Sequence, residues 1–263
     1  MIQEVQAKVS DLLQKQEIQA FLGLKQRHGQ VCPHLFQEPQ ELEDLHLGDQ
    51  EQPGDSRYPL LKTLQAICQA YPEQKIGILV RGCDQRGLNA LQVWKQINLE
   101  QVVQVGICCP QELADACQCH KPYPDGAVAG QAAQPKEFES VARIEDLDLG
   151  QRFDTWMFEF SKCVKCYGCR DICPVCFCKE CSLEDETLVK PGSLPPEIPI
   201  FHWVRAAHMA GRCIDCGLCE QACPADIPLR TLYKKVEQIL NQEFDYHTGA
   251  DAEHKPPLNL VQS

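Results

Sequence analysis

Eight cysteines in the C-terminal half of the chain form two copies of one spacing, C-x2-C-x2-C-x3-C followed by proline. Runs of this kind bind pairs of iron–sulfur clusters, and the fourth cysteine of each run ligates the cluster of the other. We therefore expect two [4Fe-4S] clusters. One set of ligands would be Cys163, Cys166, Cys169 and Cys223, and the other Cys213, Cys216, Cys219 and Cys173.

The spacing has a physical reason and two competing interpretations. Three thiolates on one tight loop can bind three corners of an iron–sulfur cube, and the proline after the fourth turns the chain away with its fixed φ. Disulfides are disfavoured, because the residues from Met1 to Glu4 begin no secretory signal. Zinc sites use paired C-x2-C units instead of a triplet. The pattern is therefore that of a bacterial two-cluster ferredoxin.

Five further cysteines follow two predicted strands of the N-terminal half. Cys83 comes just after residues 76–80, and Cys108 and Cys109 come just after residues 102–107. In open α/β sheets, sites form outside the carboxyl ends of the strands, and Cys117 and Cys119 lie close enough in sequence to join them. Four of these thiols could hold a third [4Fe-4S] cluster or zinc. Alternatively they pack as small apolar residues.

Three more cysteines, Cys176, Cys178 and Cys181, directly follow the first cysteine run. They could bind zinc or another cluster, with His202 or a ligand from a partner protein. They could equally be unligated and line the core. The lone Cys32 and Cys68 are expected to be structural.

Composition limits the possible functions. The chain has 263 residues, enough for two modest domains, and a formal net charge of −12. Nucleic acid is not expected as a partner, because phosphate binding needs clustered Lys and Arg. The longest apolar run is short, so no membrane span is expected. Without an export signal, a cytoplasmic location is predicted. No Ser-His-Asp or paired-carboxylate arrangement is recognisable, so no catalytic residue is predicted.

The first 120 residues alternate between helical and strand patterns. Strand–helix–strand units of this kind predict an α/β domain with a small parallel sheet and right-handed crossovers. Residues 30–58 are rich in proline and acidic residues and are expected to be mostly loop. The predicted helices cover residues 2–16, 60–68 and 88–97, and the predicted strands cover 18–24, 76–80 and 102–107.

The rest of the chain predicts a linker, a second domain and a tail. Residues 121–152 are the expected linker, and residues 153–240 the helix-rich, α+β ferredoxin-like domain. Its proline-rich segment 188–199 cannot be regular helix, whereas 201–210 and 229–240 are predicted helices. Residues 241–263 are polar and predict an extended tail.

Several segments resemble a known family. The stretch from Lys162 to Cys181, the second cysteine run and Asp226-Ile227-Pro228 resemble the ferredoxin-like part of the beta subunit of deazaflavin-dependent formate dehydrogenases and hydrogenases. Cys83-Asp84 and Gly106-Ile107-Cys108 resemble the nucleotide-domain segment of that family. The resemblance implies an electron-transfer subunit of a cytoplasmic oxidoreductase. Its partners would be subunits of a formate dehydrogenase, a hydrogenase or a heterodisulfide-reductase-like complex.

The chain also departs from this family. Only about fifty residues separate Cys109 from Cys163, where family members carry the segment associated with flavin and deazaflavin binding. Flavin is therefore not expected, and an N-terminal domain that holds additional metal is predicted in its place. The alternative is an enzyme subunit that still binds flavin and reduces or oxidises a soluble cofactor.

Overall fold

The computed structural model describes residues 1–190, 192–194 and 196–257, and the chain divides into two compact units. The first unit comprises residues 1–137 with 251–253, and the second comprises residues 138–250 with those from His254 onward. Part of the predicted tail, residues 258–263, lies outside the described residues. The domain boundaries expected from the sequence remain predictions.

The first unit contains one sheet and four α-helices. Short 3-10 helices occur at Pro39–Asp44 and Leu99–Gln101. The sheet has the strand order β2-β1-β4-β5, with β3 also paired to β1. The elements are α1 (Ile2–Gln14), β1 (Ala20–Arg27), β2 (Gln30–Phe36), β3 (Leu45–His46), α2 (Leu60–Ala70), β4 (Ile76–Val80), α3 (Gly82–Val93), β5 (Val102–Gly106) and α4 (Gln111–Cys117).

The α/β class is compatible with this unit, but the prediction of a purely parallel sheet is wrong. Strands β1, β4 and β5 are parallel, whereas β2 and β3 pair with β1 in antiparallel fashion. The sequence of β2 contains Pro33 and suggested a loop. Proline is tolerated there because β2 is at the edge of the sheet. The turn before β2 places His28 and Gly29 at φ 50° and 75°, which suits a tight hairpin.

The parallel pairing of β4 with β5 sets up the edge where the N-terminal cysteines lie. Every residue of β4 is buried, and Val80 pairs with Gly106 at the end of the two strands. The segments that leave these strands therefore start side by side. Arg81 and Cys83 follow one strand, and Cys108 follows the other.

The second unit is helical, and no strand is assigned in its described residues, so the β component of the predicted α+β class is wrong. Its helix-rich character agrees with the sequence. The predicted linker contains α5 and the beginning of α6. The helices are α5 (Glu139–Glu145), α6 (Leu149–Ser161), α7 (Gly168–Asp171), α8 (Ile200–Met209), α9 (Leu218–Gln221) and α10 (Leu229–Phe244), with a 3-10 turn at Ser182–Glu184.

No helix within the described ranges combines the length and the apolar character needed to cross a bilayer.

Candidate iron–sulfur sites

The two cysteine runs fold into equivalent loops, the first loop (residues 163–173) and the second loop (residues 213–223). Each contains a four-residue helix, α7 in the first and α9 in the second, and the two helices contact each other. The backbone hydrogen bonds recur fifty residues apart. They are Arg170 N to Tyr167 O at 2.9 Å and Glu220 N to Gly217 O at 3.1 Å, then Cys173 N to Arg170 O at 3.2 Å and Cys223 N to Glu220 O at 3.0 Å.

Left-handed backbone conformations also recur at matching positions. Lys165 and Asp215 have φ of 52° and 55°, and Tyr167 and Gly217 have φ of 59° and 76°. Three of the four are not glycine, so each carries a conformational cost of roughly 1–3 kcal/mol. Both loops share this costly shape, which indicates that it serves a common purpose.

The purpose is visible at the sulfur atoms of the first loop. The backbone N–H of Lys165 donates to Cys163 Sγ at 3.4 Å, and that of Gly168 donates to Cys166 Sγ at 3.5 Å. Hydrogen bonds to sulfur stabilise negative charge on thiolates and tune the clusters that they hold. The loop therefore directs backbone N–H groups at two of its sulfur atoms.

The thiols of the second loop line a cavity together with one thiol of the first. The atom-free space is about 360 Å³, including its opening to solvent. Arg205, Tyr233 and Arg230 form part of its wall. The four cysteines on the cavity are Cys173, Cys213, Cys216 and Cys219.

The complementary thiols gather around the first loop. Burial raises the pKa of the Cys163 thiol, and the neighbouring Cys169, Cys223 and Cys166 raise it further. Ala222, the residue before Cys223, also lies against Gly168, since a Cβ at Gly168 would come within 3.3 Å of Ala222 O. Cys223 of the second loop therefore lies beside the first loop. The structure therefore brings together the same two sets of four thiols that the spacing predicts. Ligation of iron by them remains a prediction.

The donor set suits a four-iron cluster better than one ion. No three His, Cys, Asp or Glu side chains in the described part of the chain converge closely enough for a single metal ion. In a [4Fe-4S] cluster each thiolate binds a different iron, so the sulfur atoms need not meet at one point. Burial raises the pKa of the Cys213 and Cys219 thiols. Iron binding must therefore displace their protons.

Arg205 of α8 lies against thiols of both sets, and sequence reasoning assigned it no role. Its Nη2 donates to the backbone oxygen of Cys169 at 2.7 Å, and its Nη1 donates to Cys176 Sγ at 3.5 Å. The guanidinium also lowers the pKa of Cys219 against the effect of burial. A buried cation in this position favours the negative charge of thiolates and of the clusters that they would hold.

A buried ionic network supports the second loop. Asp215 accepts from Arg230 Nε at 2.6 Å and from Lys234 Nζ at 3.1 Å, and Lys234 also contacts Glu237 at 3.0 Å. The side chain of Asp215 is only 2% exposed. Because buried charges are costly unless they are paired, the network fixes the loop to α10 through Asp215.

The three cysteines after the first loop do not form one cluster with His202. Cys176 lies beside Arg205, Cys178 accepts from Arg212 Nη1 at 3.2 Å, and Cys181 contributes to the raised pKa of Arg170. His202 stacks on Phe160 with a centroid distance of 4.3 Å. Burial lowers the pKa of the His208 imidazole, and the nearby Cys176 opposes this shift. A metal on these three thiols remains a prediction.

The N-terminal cysteines lie in different surroundings. Burial raises the pKa of the Cys109 thiol, and the nearby thiols of Cys119 and Cys117 add to the rise. Cys83 lies beside Arg57, and Cys108 faces Gly130, where an added Cβ would come within 3.1 Å of Cys108 Cβ. The remaining two are separate: Cys68 is buried in α2 and Cys32 is exposed on β2.

A cleft with about 710 Å³ of atom-free space, including its opening to solvent, lies beside the first loop. Val164, Tyr167 and Leu194 give it an apolar lining, and Lys165 and Glu184 add charged groups. The side chain of Val164 is about half exposed, and Cys166 is an exposed cysteine. The first loop therefore reaches the surface of its unit.

Comparisons with known proteins agree with this geometry. Residues 207–228, which include the whole second loop, match the 4Fe-4S binding domain family. The chain is 41% identical over 107 residues to the F420-dependent formate dehydrogenase subunit beta of Methanocaldococcus jannaschii, covering 41% of this chain and 28% of that protein. It is 39% identical over 148 residues to the F420-dependent formate dehydrogenase 1 subunit beta of Methanococcus maripaludis, covering 51% and 38%.

These matches confirm the resemblance that the cysteine runs and their flanking residues indicated, and they confirm the iron–sulfur character of the C-terminal part. The matched regions span well under half the length of both relatives. What the relatives do as whole proteins is therefore a separate question for this chain.

Proposed function

We propose that this chain is an iron–sulfur electron-transfer subunit of a multi-subunit oxidoreductase. The observation that carries the proposal is the pair of equivalent loops, each of which lends its fourth cysteine to the thiol set of the other. Two such sets, fully supplied with thiolates, would hold two [4Fe-4S] clusters that move single electrons. With four protein ligands at each cluster, no iron is left open to bind an organic substrate.

The residues around the thiols suit this task. Backbone N–H groups at Lys165 and Gly168 and the guanidinium of Arg205 all point at sulfur or at the adjacent backbone. Hydrogen bonds, burial and net charge are the levers by which a protein sets the reduction potential of a cluster. The chain therefore contributes ligands and electrostatics, while the electron transfer belongs to the clusters.

Exchange of electrons with another protein would occur at the first loop. Cys166 is exposed, Val164 is half exposed, and the adjacent cleft is lined by apolar side chains together with Glu184. The second loop offers no comparable approach, because Asp215 and Leu218 are buried. A partner would therefore dock over the first loop.

The partner is expected to be a redox subunit. Relatives of this chain are named as beta subunits of formate dehydrogenases, which makes a formate dehydrogenase our first choice of complex. A hydrogenase or a heterodisulfide-reductase-like complex is the proposed alternative. A cytoplasmic location is proposed with them.

Anaerobic purification followed by reduction with dithionite tests the electron-transfer role. The protein should lose much of its sulfur-to-iron charge-transfer absorbance. It should take up about one electron per cluster, which is two electrons for the two clusters of the second unit. The reduced protein should then pass these electrons to oxidised cytochrome c. Fewer than about eight irons per chain, with zinc in their place, would refute the proposal.

Tagged protein isolated from its native host tests the partner and the flavin alternative. Co-isolation of a formate dehydrogenase catalytic subunit is the expected result. Stoichiometric flavin released from the iron-replete protein by denaturation would instead favour an enzyme subunit that acts on a soluble cofactor.

A further inference from the structure

The carboxyl edge of the first unit's sheet carries a group of thiols that the two loops do not use. Cys109 follows β5, and α4 then runs to Cys117. Gln118 adopts a left-handed conformation with φ 44° and turns the chain back, so that Cys119 N donates to Ala114 O at 3.0 Å. The turn holds Cys117 and Cys119 at the same end of α4.

Two of these three thiols are largely shielded from water, and Cys117 is partly exposed. Cys109 and Cys119 are each 8% exposed. The thiols of Cys119 and Cys117 and the guanidinium of Arg81 all lie within electrostatic range of the Cys109 thiol. The loops around them are fixed, since Cys109 N donates to Pro122 O at 2.9 Å and Lys136 N donates to Cys119 O at 2.9 Å.

Arg81 is a buried cation directed at this group. Its Nη2 donates to Leu47 O at 2.8 Å and to Asp49 at 3.2 Å, which anchors one side of the guanidinium. Its Nη1 is buried and has no hydrogen-bond partner in the structure. The side chain is only 9% exposed, and Cys109 is among the groups that hold its pKa above the ordinary value against burial. A buried guanidinium that interacts with the Cys109 thiol favours an anionic sulfur at that position.

The neighbouring strand supplies a further thiol at this edge of the sheet. Cys83 follows β4 at the same edge of the sheet, and Arg57 Nη2 donates to its sulfur at 3.9 Å. The segment after Cys119 links the two strand ends, because Gly82 lies against the backbone of Lys121 and Tyr123. Cys108 differs, since its side chain faces Gly130.

We infer that Cys83, Cys109, Cys117 and Cys119 hold a third [4Fe-4S] cluster at the carboxyl edge of the sheet, with Arg81 donating to it. Four thiolates are the ligand set of such a cluster. Zinc would take the same thiolates, whereas a cluster would also supply inorganic sulfides as hydrogen-bond acceptors for the buried guanidinium of Arg81. This site goes beyond the two-cluster relay, because it lies in the other unit and shares no cysteine with it.

Iron stoichiometry with a matched pair of variants tests the inference. Anaerobically prepared wild-type protein should contain about twelve irons per chain, and the double variant Cys109→Ser/Cys119→Ser about eight. Cys108→Ser, which changes the residue next to a ligand, should retain about twelve. Loss of iron in Cys108→Ser equal to that in the double variant would overturn the ligand assignment.

Thiol alkylation of the wild-type protein gives a second measurement that needs no substitution. Cys83, Cys109, Cys117 and Cys119 should be protected in the iron-replete protein and become reactive together after anaerobic iron chelation. Exposed Cys32 should react in both states. A wild-type value of about eight irons, with or without one zinc per chain, would refute the third cluster and leave the two-cluster relay intact. A value below eight would count against the relay itself.

Discussion

The first and second loops have the same backbone but different supports. Aromatic residues hold the first loop: the Tyr167 hydroxyl donates to Leu183 O at 2.9 Å, and its ring packs edge-on against Phe201. At the matching position the second loop has Gly217, and its support is ionic, through Asp215 to Arg230 and Lys234. The loop shape thus depends on the ligand spacing, whereas the surroundings are free to differ.

The different supports correspond to different environments. The first loop is exposed at Cys166 and adjoins the cleft, whereas Asp215 of the second loop is buried. A relay needs one cluster near the surface for exchange with a partner and benefits from a second that is shielded. The comparison therefore predicts distinct effects when each loop or its support is changed.

Substitution of the fourth cysteine of either run should give the largest effect. Cys173→Ser should remove the cluster held mainly by the second loop, and Cys223→Ser the cluster held mainly by the first, each with a loss of about four irons. Iron analysis and electron paramagnetic resonance of the reduced variants measure this. If each variant instead loses the cluster of its own loop, the crossed arrangement is wrong.

Removal of the buried carboxylate should destabilise the second loop's support. Asp215→Asn leaves Arg230 and Lys234 without their shared partner, and breaking a buried ion pair in this way costs about 3–5 kcal/mol. Chemical denaturation under anaerobic conditions measures the loss. The matched control is Glu184→Gln, which breaks an ion pair of Arg170 with an exposed carboxylate and should cost about 1 kcal/mol or less. Equal losses would mean that the ionic support is unimportant.

Acid should weaken the aromatic support of the first loop. Burial, assisted by Arg205, lowers the pKa of His202 from 6.5 to about 4, and its ring stacks on Phe160. The unfolded chain therefore binds more protons than the folded chain between pH 6.5 and 4. Stability is lost as pH falls through this window, by on the order of 3 kcal/mol from this residue.

Denaturation of wild-type protein and of His202→Phe at several pH values measures the contribution of His202. The variant keeps an aromatic ring for Phe160 but has no titrating group, so its stability should fall less between pH 6.5 and 4. Parallel pH profiles for the two proteins would contradict the assignment to His202.

Sequence patterns located helices and strands well where the spacing of apolar residues matched the observed burial. The strand Ile76–Val80 is apolar throughout and was located at its observed bounds, and the last helix was located from its apolar stripe. Strand β2 was missed because its partly exposed sequence contains Pro33 and has no clear alternation. Its pairing with β1 depends on the hairpin at Gly29, which outweighs the weak strand propensity of the segment.

The same holds for the candidate sites: the sequence located the residues that lie close together in the chain and missed those that meet only through packing. Cysteine spacing alone indicated both crossed thiol sets, because three ligands of each lie on one loop. It could not find Arg205 or the ionic network, whose members lie on separate helices and come together only through packing. Among the N-terminal cysteines, the sequence could not separate Cys108 from Cys109.

The sequence by itself determined the two loops, their ligand spacing and the iron–sulfur character of the chain, because these depend on residues close together in the chain. Tertiary structure decided which thiols face one another and which charges are buried beside them. Cys109 meets Arg81 only because β4 and β5 are adjacent and parallel, which brings the ends of both strands to one edge. Side-chain direction and burial are properties of that packing, so no local pattern in the sequence could specify them.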